Sequence, residues 1–171
     1  MLFPTKFHQV KAYYRLHSAA MTDISGTAER FIVVGVDGSE PSLKALRWAA
    51  SQARLTGASL RVLTTWEIST TSGWAPAFPL DYDPEAVARQ VLDEAVNDTL
   101  GPSPTIRVER VVKEGLPVTV LLAESHGADL LVVGTHGHGA LAGVLVGSVP
   151  EHLLRHAPCA VVIVRCDKQG H

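Results

Sequence analysis

From Phe31 onward the chain alternates short continuous apolar runs with stretches of three- and four-residue periodicity. "FIVVGV" (31–36) is rich in Val and Ile without polar alternation, the pattern of a strand buried on both faces of a parallel sheet. After the turn "DGSE", Ser39 stands where a helix cap is expected, with Pro41 in the first turn. Leu43, Leu46, Ala50 and Ala53 then give one apolar helix face through about Leu55. "SLRVLTTW" (59–66) predicts the second strand. Pro84 opens a second helix that runs to about Leu100 and stops at "GPSP". "TIRVERVV" (105–112) alternates more than the others, which places the third strand at a sheet edge with one exposed face. A third helix is expected from Pro117 to about His126, closed by Gly127. "DLLVVG" (129–134) is the fourth strand, Ser148 to about His156 the fourth helix, and "CAVVIV" (159–164) the fifth strand.

Five strands separated by four helices predict an α/β fold: a single-domain three-layer sandwich around a mostly parallel sheet. Ligands of such sheets bind beyond the carboxyl ends of the strands, where strand order reverses. The loops after the first, second and fourth strands therefore come first. Residues 67–82 form a long connection with Pro, Gly and aromatic residues, the composition of a lid, a binding loop or a surface excursion.

Composition narrows the class. The 171 residues are 46% hydrophobic and 19% charged, as in globular proteins, with a formal net charge of −2. That balance argues against a dedicated nucleic-acid binder, which needs clustered Lys and Arg. No apolar run is long enough to span a membrane. Two cysteines, Cys159 and Cys166, do not make a disulfide framework, and a cytoplasmic location is expected. Cys159, at the mouth of an apolar run, is read as a small hydrophobe. The first twenty residues carry Lys6, Lys11 and Arg15 and no acid. Lys11 and Arg15 interrupt any signal-peptide core, so residues 1–29 are expected to be a disordered tail, with Met21 an alternative start. Residues 167–171 are expected to be a second tail.

The segment "VVGTHGHGALAGVLVGSVPEH" (132–152) holds five glycines and no Lys or Arg. Gly134, Gly137 and Gly139 follow directly on a buried strand, where glycine admits close approach of a ligand to main-chain N–H groups. Ser148 and Glu151 have capping-box spacing, and a helix start favours anions. The segment thus reads as a phosphate cradle built from amides, or as a glycine-rich turn before an ordinary capped helix. A Walker loop would need lysine where Gly147 stands, and a dinucleotide fingerprint would need glycine where Ala142 stands.

The spacing Gly134-x2-Gly137-x9-Gly147-Ser148 resembles the G-x2-G-x9-G-[ST] motif of the ATP-binding universal stress proteins. "IVVGVDGSEPSLKALRWAASQA", "VKEGLPVTVLLAES", "GADLLVVGTHGHG" and "LVGSVPEHLLRHAPCAVVIV" are similar to that family's units in order, covering residues 30–166. The resemblance implies an adenine-nucleotide α-hydrolase-like sheet of order 3-2-1-4-5. It also implies a homodimer through strand 159–164 and an ATP ligand with Mg²⁺. By that resemblance Gly134, Thr135, His136, Gly137, His138, Gly139 and Ala140 wrap ribose and phosphates. Gly147, Ser148, Val149 and Pro150 hold the outer phosphates. Adenine lies near Gly35, Asp37 and Thr65, although family members often carry an aliphatic residue where Thr65 stands.

His136 and His138 read as solvated loop residues, with His138 able to reach an outer phosphate. His152 and His156 have helical zinc-ligand spacing but no third ligand in view, so no metal site is expected. No catalytic residue is assigned, because phosphoryl transfer relies on positioned positive charge that the loop lacks. The expected protein is a nucleotide-dependent regulatory module in stress responses, with slow ATP turnover or none. Its alternatives are an α-hydrolase-type enzyme, whose Ser-Gly-Gly loop is missing after the first strand, and a dimeric interaction protein that binds no nucleotide.

Overall fold

The computed structural model describes residues 12–13, 29–68, 82–135 and 147–165. The elements in chain order are β1 (Ala12–Tyr13), β2 (Phe31–Gly35), α1 (Glu40–Thr56), β3 (Ser59–Trp66) and α2 (Pro84–Leu100). They continue with β4 (Val108–Glu114), α3 (Pro117–Glu124), β5 (Leu130–Gly134), α4 (Ser148–His156) and β6 (Ala160–Val164). The sheet order is β1-β6-β5-β2-β3-β4. All pairs from β4 to β6 are parallel. Without the two-residue β1, the order is the 3-2-1-4-5 expected for the five longer strands.

Apolar residues on both faces of the strands explain their continuous runs. Ile32, Val34, Leu60 and Val62 pack with Leu46, Ala50 and Ala53 of α1 and with Leu92 and Val96 of α2. Val33, Leu63, Leu131, Val133 and Val161 pack on the other face with Leu121 of α3 and Leu153 of α4. Alternate side chains of a strand leave by opposite faces, so each helix pair covers one face of the same sheet.

Several boundaries differ from expectation. β4 begins at Val108 instead of Thr105 and runs to Glu114, in register with β3 from Leu60↔Val108 to Trp66↔Glu114. Its end is set by its partner: the Gly115 N–H donates to the Trp66 carbonyl at 2.9 Å. It is the edge strand, and its side chains are half-buried or exposed. α3 stops at Glu124, and Gly127, with φ of 79°, follows in the turn beyond it.

The sequence carries no strand signal before Phe31, yet Ala12 and Tyr13 pair antiparallel with Val162 and Val161 of β6. β6 is the outer strand of the parallel sheet, and these two residues cover part of its edge. The 67–82 connection falls at positions 69–81 outside the described residues, with Trp74, as do residues 136–146 and 166–171.

Candidate functional site

β2 lies between β3 and β5, and strand order reverses there: the chain proceeds outward through β3 and β4, then returns to β5 on the other side. The crevice of an open α/β sheet forms at such a point, beyond the carboxyl strand ends. Gly35, Asp37, Thr65, Gly134 and Thr135 all stand at those ends.

The turn after β2 is closed by its own polar groups. Asp37 Oδ1 accepts from the Ser39 N–H at 3.0 Å and from the Ser39 hydroxyl at 2.5 Å. Gly38 takes φ of 82°, a conformation glycine adopts without strain. Ser42 is buried; its hydroxyl donates to the Ser39 carbonyl at 2.8 Å and accepts from the Asp37 N–H at 3.3 Å. Ser39 is thus the cap residue of α1 by position, but its hydroxyl turns to Asp37 instead of the helix amides. That corrects the simple capping role read from the sequence. The carboxylate shapes the turn and competes for the hydroxyl.

Gly134 ends β5 beneath the first turn of α1. A Cβ there would stand 2.7 Å from the Pro41 carbonyl carbon and 2.8 Å from its oxygen. Helix packing therefore requires glycine at this position, in addition to any close approach of a ligand. Gly35 has a milder constraint, with Leu121 Cδ2 3.1 Å from an added Cβ.

The two flanks of the glycine segment meet. The buried Thr135 donates its N–H to the Val164 carbonyl at 3.0 Å, and its carbonyl accepts from the Gly147 N–H at 2.8 Å. The start of α4 is thereby tied to the end of β5. Ser148, expected as the cap of α4, is its first helical residue and is exposed; Gly147 is the cap. Gly147 is fixed in that place because its N–H is held by Thr135 while its carbonyl accepts from the Glu151 N–H at 3.2 Å. No side-chain cap bond forms, and the Glu151 carboxylate pairs with Arg155 at 2.6 Å, so the capping box is not made. Val149 is half-buried and Pro150 buried behind them. His136, Gly137, His138, Gly139 and Ala140 lie outside the described residues.

The end of β3 adds a feature the sequence did not single out. Ser59 donates to the Arg30 carbonyl and Leu63 accepts from the Val36 N–H, so odd-numbered β3 residues direct their peptide groups toward β2. Leu60 and Trp66 bond Arg107 and Gly115 on the β4 side. Thr65 therefore aims its N–H and C=O at the β2 side, one step past the last rung, Val36 to Leu63 at 2.8 Å. The buried Thr64 donates its hydroxyl to the Val36 carbonyl at 2.8 Å. Two adjacent threonines directly after the buried Val62 and Leu63 were the available signal.

Residues away from this end take ordinary roles. The His152 and His156 rings stack 4.2 Å apart, with His156 Nδ1 3.0 Å from the His152 carbonyl. Among the described residues no His, Cys, Asp or Glu joins them as a third ligand. Cys159 packs against the α3–α4 side of the core, and burial pushes its thiol up to about 11. Among the described residues no helix is long and apolar enough to cross a membrane.

An open parallel sheet with helices on both faces and strand order reversing beside β2 defines an α/β protein of the doubly wound type. The universal stress protein family profile matches residues 30–165, and the chain belongs to that family. A universal stress protein of Mycolicibacterium smegmatis is 34% identical over 153 residues, 86% of this chain and 52% of its own length. One from Mycobacterium tuberculosis is 34% identical over 135 residues, 78% of this chain and 44% of its own. The chain thus spans about half the length of these curated relatives. A crystal structure of a universal stress protein in complex with cAMP is 32% identical, with a TM-score of 0.59, covering 81% of this chain and 98% of that one. The Archaeoglobus fulgidus universal stress protein in complex with dAMP agrees in fold, at 22% identity and a TM-score of 0.57, covering 79% of this chain and 97% of that one.

Proposed function

We propose that this chain binds ATP, carried with Mg²⁺, as a nucleotide-dependent regulatory module of the cytoplasm in stress responses. The observation that carries the reading is the Gly147–Thr135 hydrogen bond, which sets both flanks of the glycine motif side by side at the end of β5, the strand beside β2. Phosphates would meet the amides of residues 134–140 and the start of α4, at Gly147, Ser148, Val149 and Pro150. Adenine would sit by Gly35, Asp37 and Thr65. The Thr65 N–H and C=O, aimed at the β2 side past the last rung, match a base that presents an amino donor beside a ring-nitrogen acceptor. Asp37 Oδ1 is committed to Ser39. Mg²⁺ would therefore be held chiefly by the phosphates.

Turnover would be slow or absent, because the 132–152 segment brings no Lys or Arg to a γ-phosphate. A protein partner would read the nucleotide state. A second reading, cAMP as the ligand, is favoured by the 32% identical relative solved with that nucleotide. Mass spectrometry of the co-purifying ligand, followed by calorimetry with ATP and cAMP, tests both. Micromolar ATP binding without phosphate release supports the first reading; binding of cAMP alone supports the second; binding of neither refutes both.

Self-association through strand 159–164 belongs to the same reading. β6 is strongly apolar and is the outer strand of the parallel sheet, an edge that antiparallel pairing across a two-fold axis would cover. Ala12 and Tyr13 occupy two positions of that edge, so a second copy must displace them or pair beside them.

A further inference from the structure

The ladder between β2 and β3 stops one rung early. Its alternation calls for the Thr65 N–H to donate next to the Val36 carbonyl, after Val36 has donated to Leu63. That bond is not made among the described residues, although both residues are described. The Val36 carbonyl instead accepts the Thr64 hydroxyl at 2.8 Å in a buried position. A buried carbonyl left unsatisfied would be costly, so the hydroxyl does the work of the missing rung. The consequence falls on the neighbouring residue: the Thr65 amide is left off the ladder, facing the gap between the ends of β2 and β3.

We infer that Thr64 is a positioning and specificity residue for the base. It holds the Val36 carbonyl so that the Thr65 N–H and C=O are both kept for a purine edge. The inference rests on the nucleotide reading above. It does not require Thr64 to touch the ligand. The Thr65 carbonyl needs a donor and its N–H an acceptor. Adenine supplies its 6-amino group and a ring nitrogen; hypoxanthine puts a carbonyl where the amino group was, and two acceptors then meet. Remove the Thr64 hydroxyl, and the Val36 carbonyl recruits the Thr65 N–H. The strand pair zips one rung further, and the donor for the base is lost. The half-buried Asp37, Ser39 and Ser42 hydrogen bonds hold the rest of this turn and are independent of Thr64.

The test uses the full chain with Thr64→Val, close in shape, and Thr64→Ser, which restores the hydroxyl. Amide hydrogen exchange at Thr65 is read by NMR without nucleotide, and calorimetry compares ATP with inosine triphosphate. Thr64→Val should slow Thr65 exchange about tenfold and weaken ATP about tenfold, each reflecting one hydrogen bond gained or lost. Inosine triphosphate should change little, so the preference for ATP narrows. Thr64→Ser should behave as wild type in both. A role limited to packing would not produce Thr65 protection with rescue by serine. If wild type prefers ATP and Thr64→Val leaves both the preference and Thr65 exchange unchanged, the positioning role is wrong while nucleotide binding stands. If wild type binds neither nucleotide, the functional reading fails and this inference fails with it.

Discussion

The Gly147 N–H donates to the carbonyl of Thr135 at 2.8 Å across eleven intervening residues, and it does so while Gly147 caps α4. One backbone bond thereby fixes where the first and last glycines of the motif stand relative to each other. It also explains why the spacing between them is a structural quantity: the intervening segment must leave β5 and return to the same point.

Gly134→Ala should destabilise the fold as well as weaken nucleotide binding. The added methyl would sit 2.7 Å from backbone of Pro41, which cannot rotate away. Overpacking of this kind costs about 1–3 kcal/mol. Chemical denaturation of the variant should show a loss in that range. Stability equal to wild type would mean α1 moves aside freely.

Gly137→Val should separate the two effects. If the amide at this position faces phosphate, a branched side chain removes nucleotide affinity while leaving the fold largely intact. His138→Ala should bind ATP as wild type if the ring is solvated. Titration calorimetry with circular dichroism decides. A severe loss in His138→Ala beside a harmless Gly137→Val would favour a side-chain mechanism over an amide cradle.

Ser148→Ala should leave stability unchanged, because Ser148 is exposed and makes no cap bond. Its affinity for ATP should fall less than that of Gly137→Val, since the amides at the start of α4 remain. A drop in melting temperature of several degrees would show that the hydroxyl caps the helix after all.

Cys159 should lend the fold an alkaline dependence. Burial raises its pKa from 9.0 to about 11 in the folded chain. The folded state therefore favours the neutral thiol; the advantage is complete below pH 9 and disappears as pH rises through 11. In a Cys166→Ser background, alkylation of Cys159 at pH 8 should be slow until the chain is unfolded. Cys159→Ala should flatten the decline in stability between pH 9 and 11. Rapid native-state alkylation would contradict the burial.

Replacing Ala12 and Tyr13 with proline should strengthen self-association. Proline lacks the N–H that strand pairing uses, so the edge at Val161 and Val162 would be vacated for a second copy. Sedimentation at micromolar concentrations should show a larger dimer fraction than wild type. A smaller fraction would mean that these residues belong to the dimer contact.

Much of the architecture could be read from one-dimensional pattern. Continuous apolar runs marked strands buried on both faces, periodic runs marked α1 to α4, and the motif spacing identified the family and with it the strand order. Those signals are short-range: they record which face of an element avoids water, and local geometry converts that into periodicity. What the tertiary structure decided were choices among partners distant in sequence or equal in chemistry. Ser39 had helix amides and the Asp37 carboxylate within reach, and the carboxylate took its hydroxyl. Gly147 displaced Ser148 as the cap because Thr135 holds its N–H. β4 ended where β3 ended, at Trp66 and Glu114. Gly134 was legible as a motif glycine, but only the seating of Pro41 above it showed a second reason for its lacking a side chain. Thr64 drew no attention as a polar residue in an apolar strand until the carbonyl of Val36, 28 positions away, arrived beside it. A hydrogen bond is chosen by distance and angle in the folded chain, and neither is encoded in the spacing of hydrophobic residues.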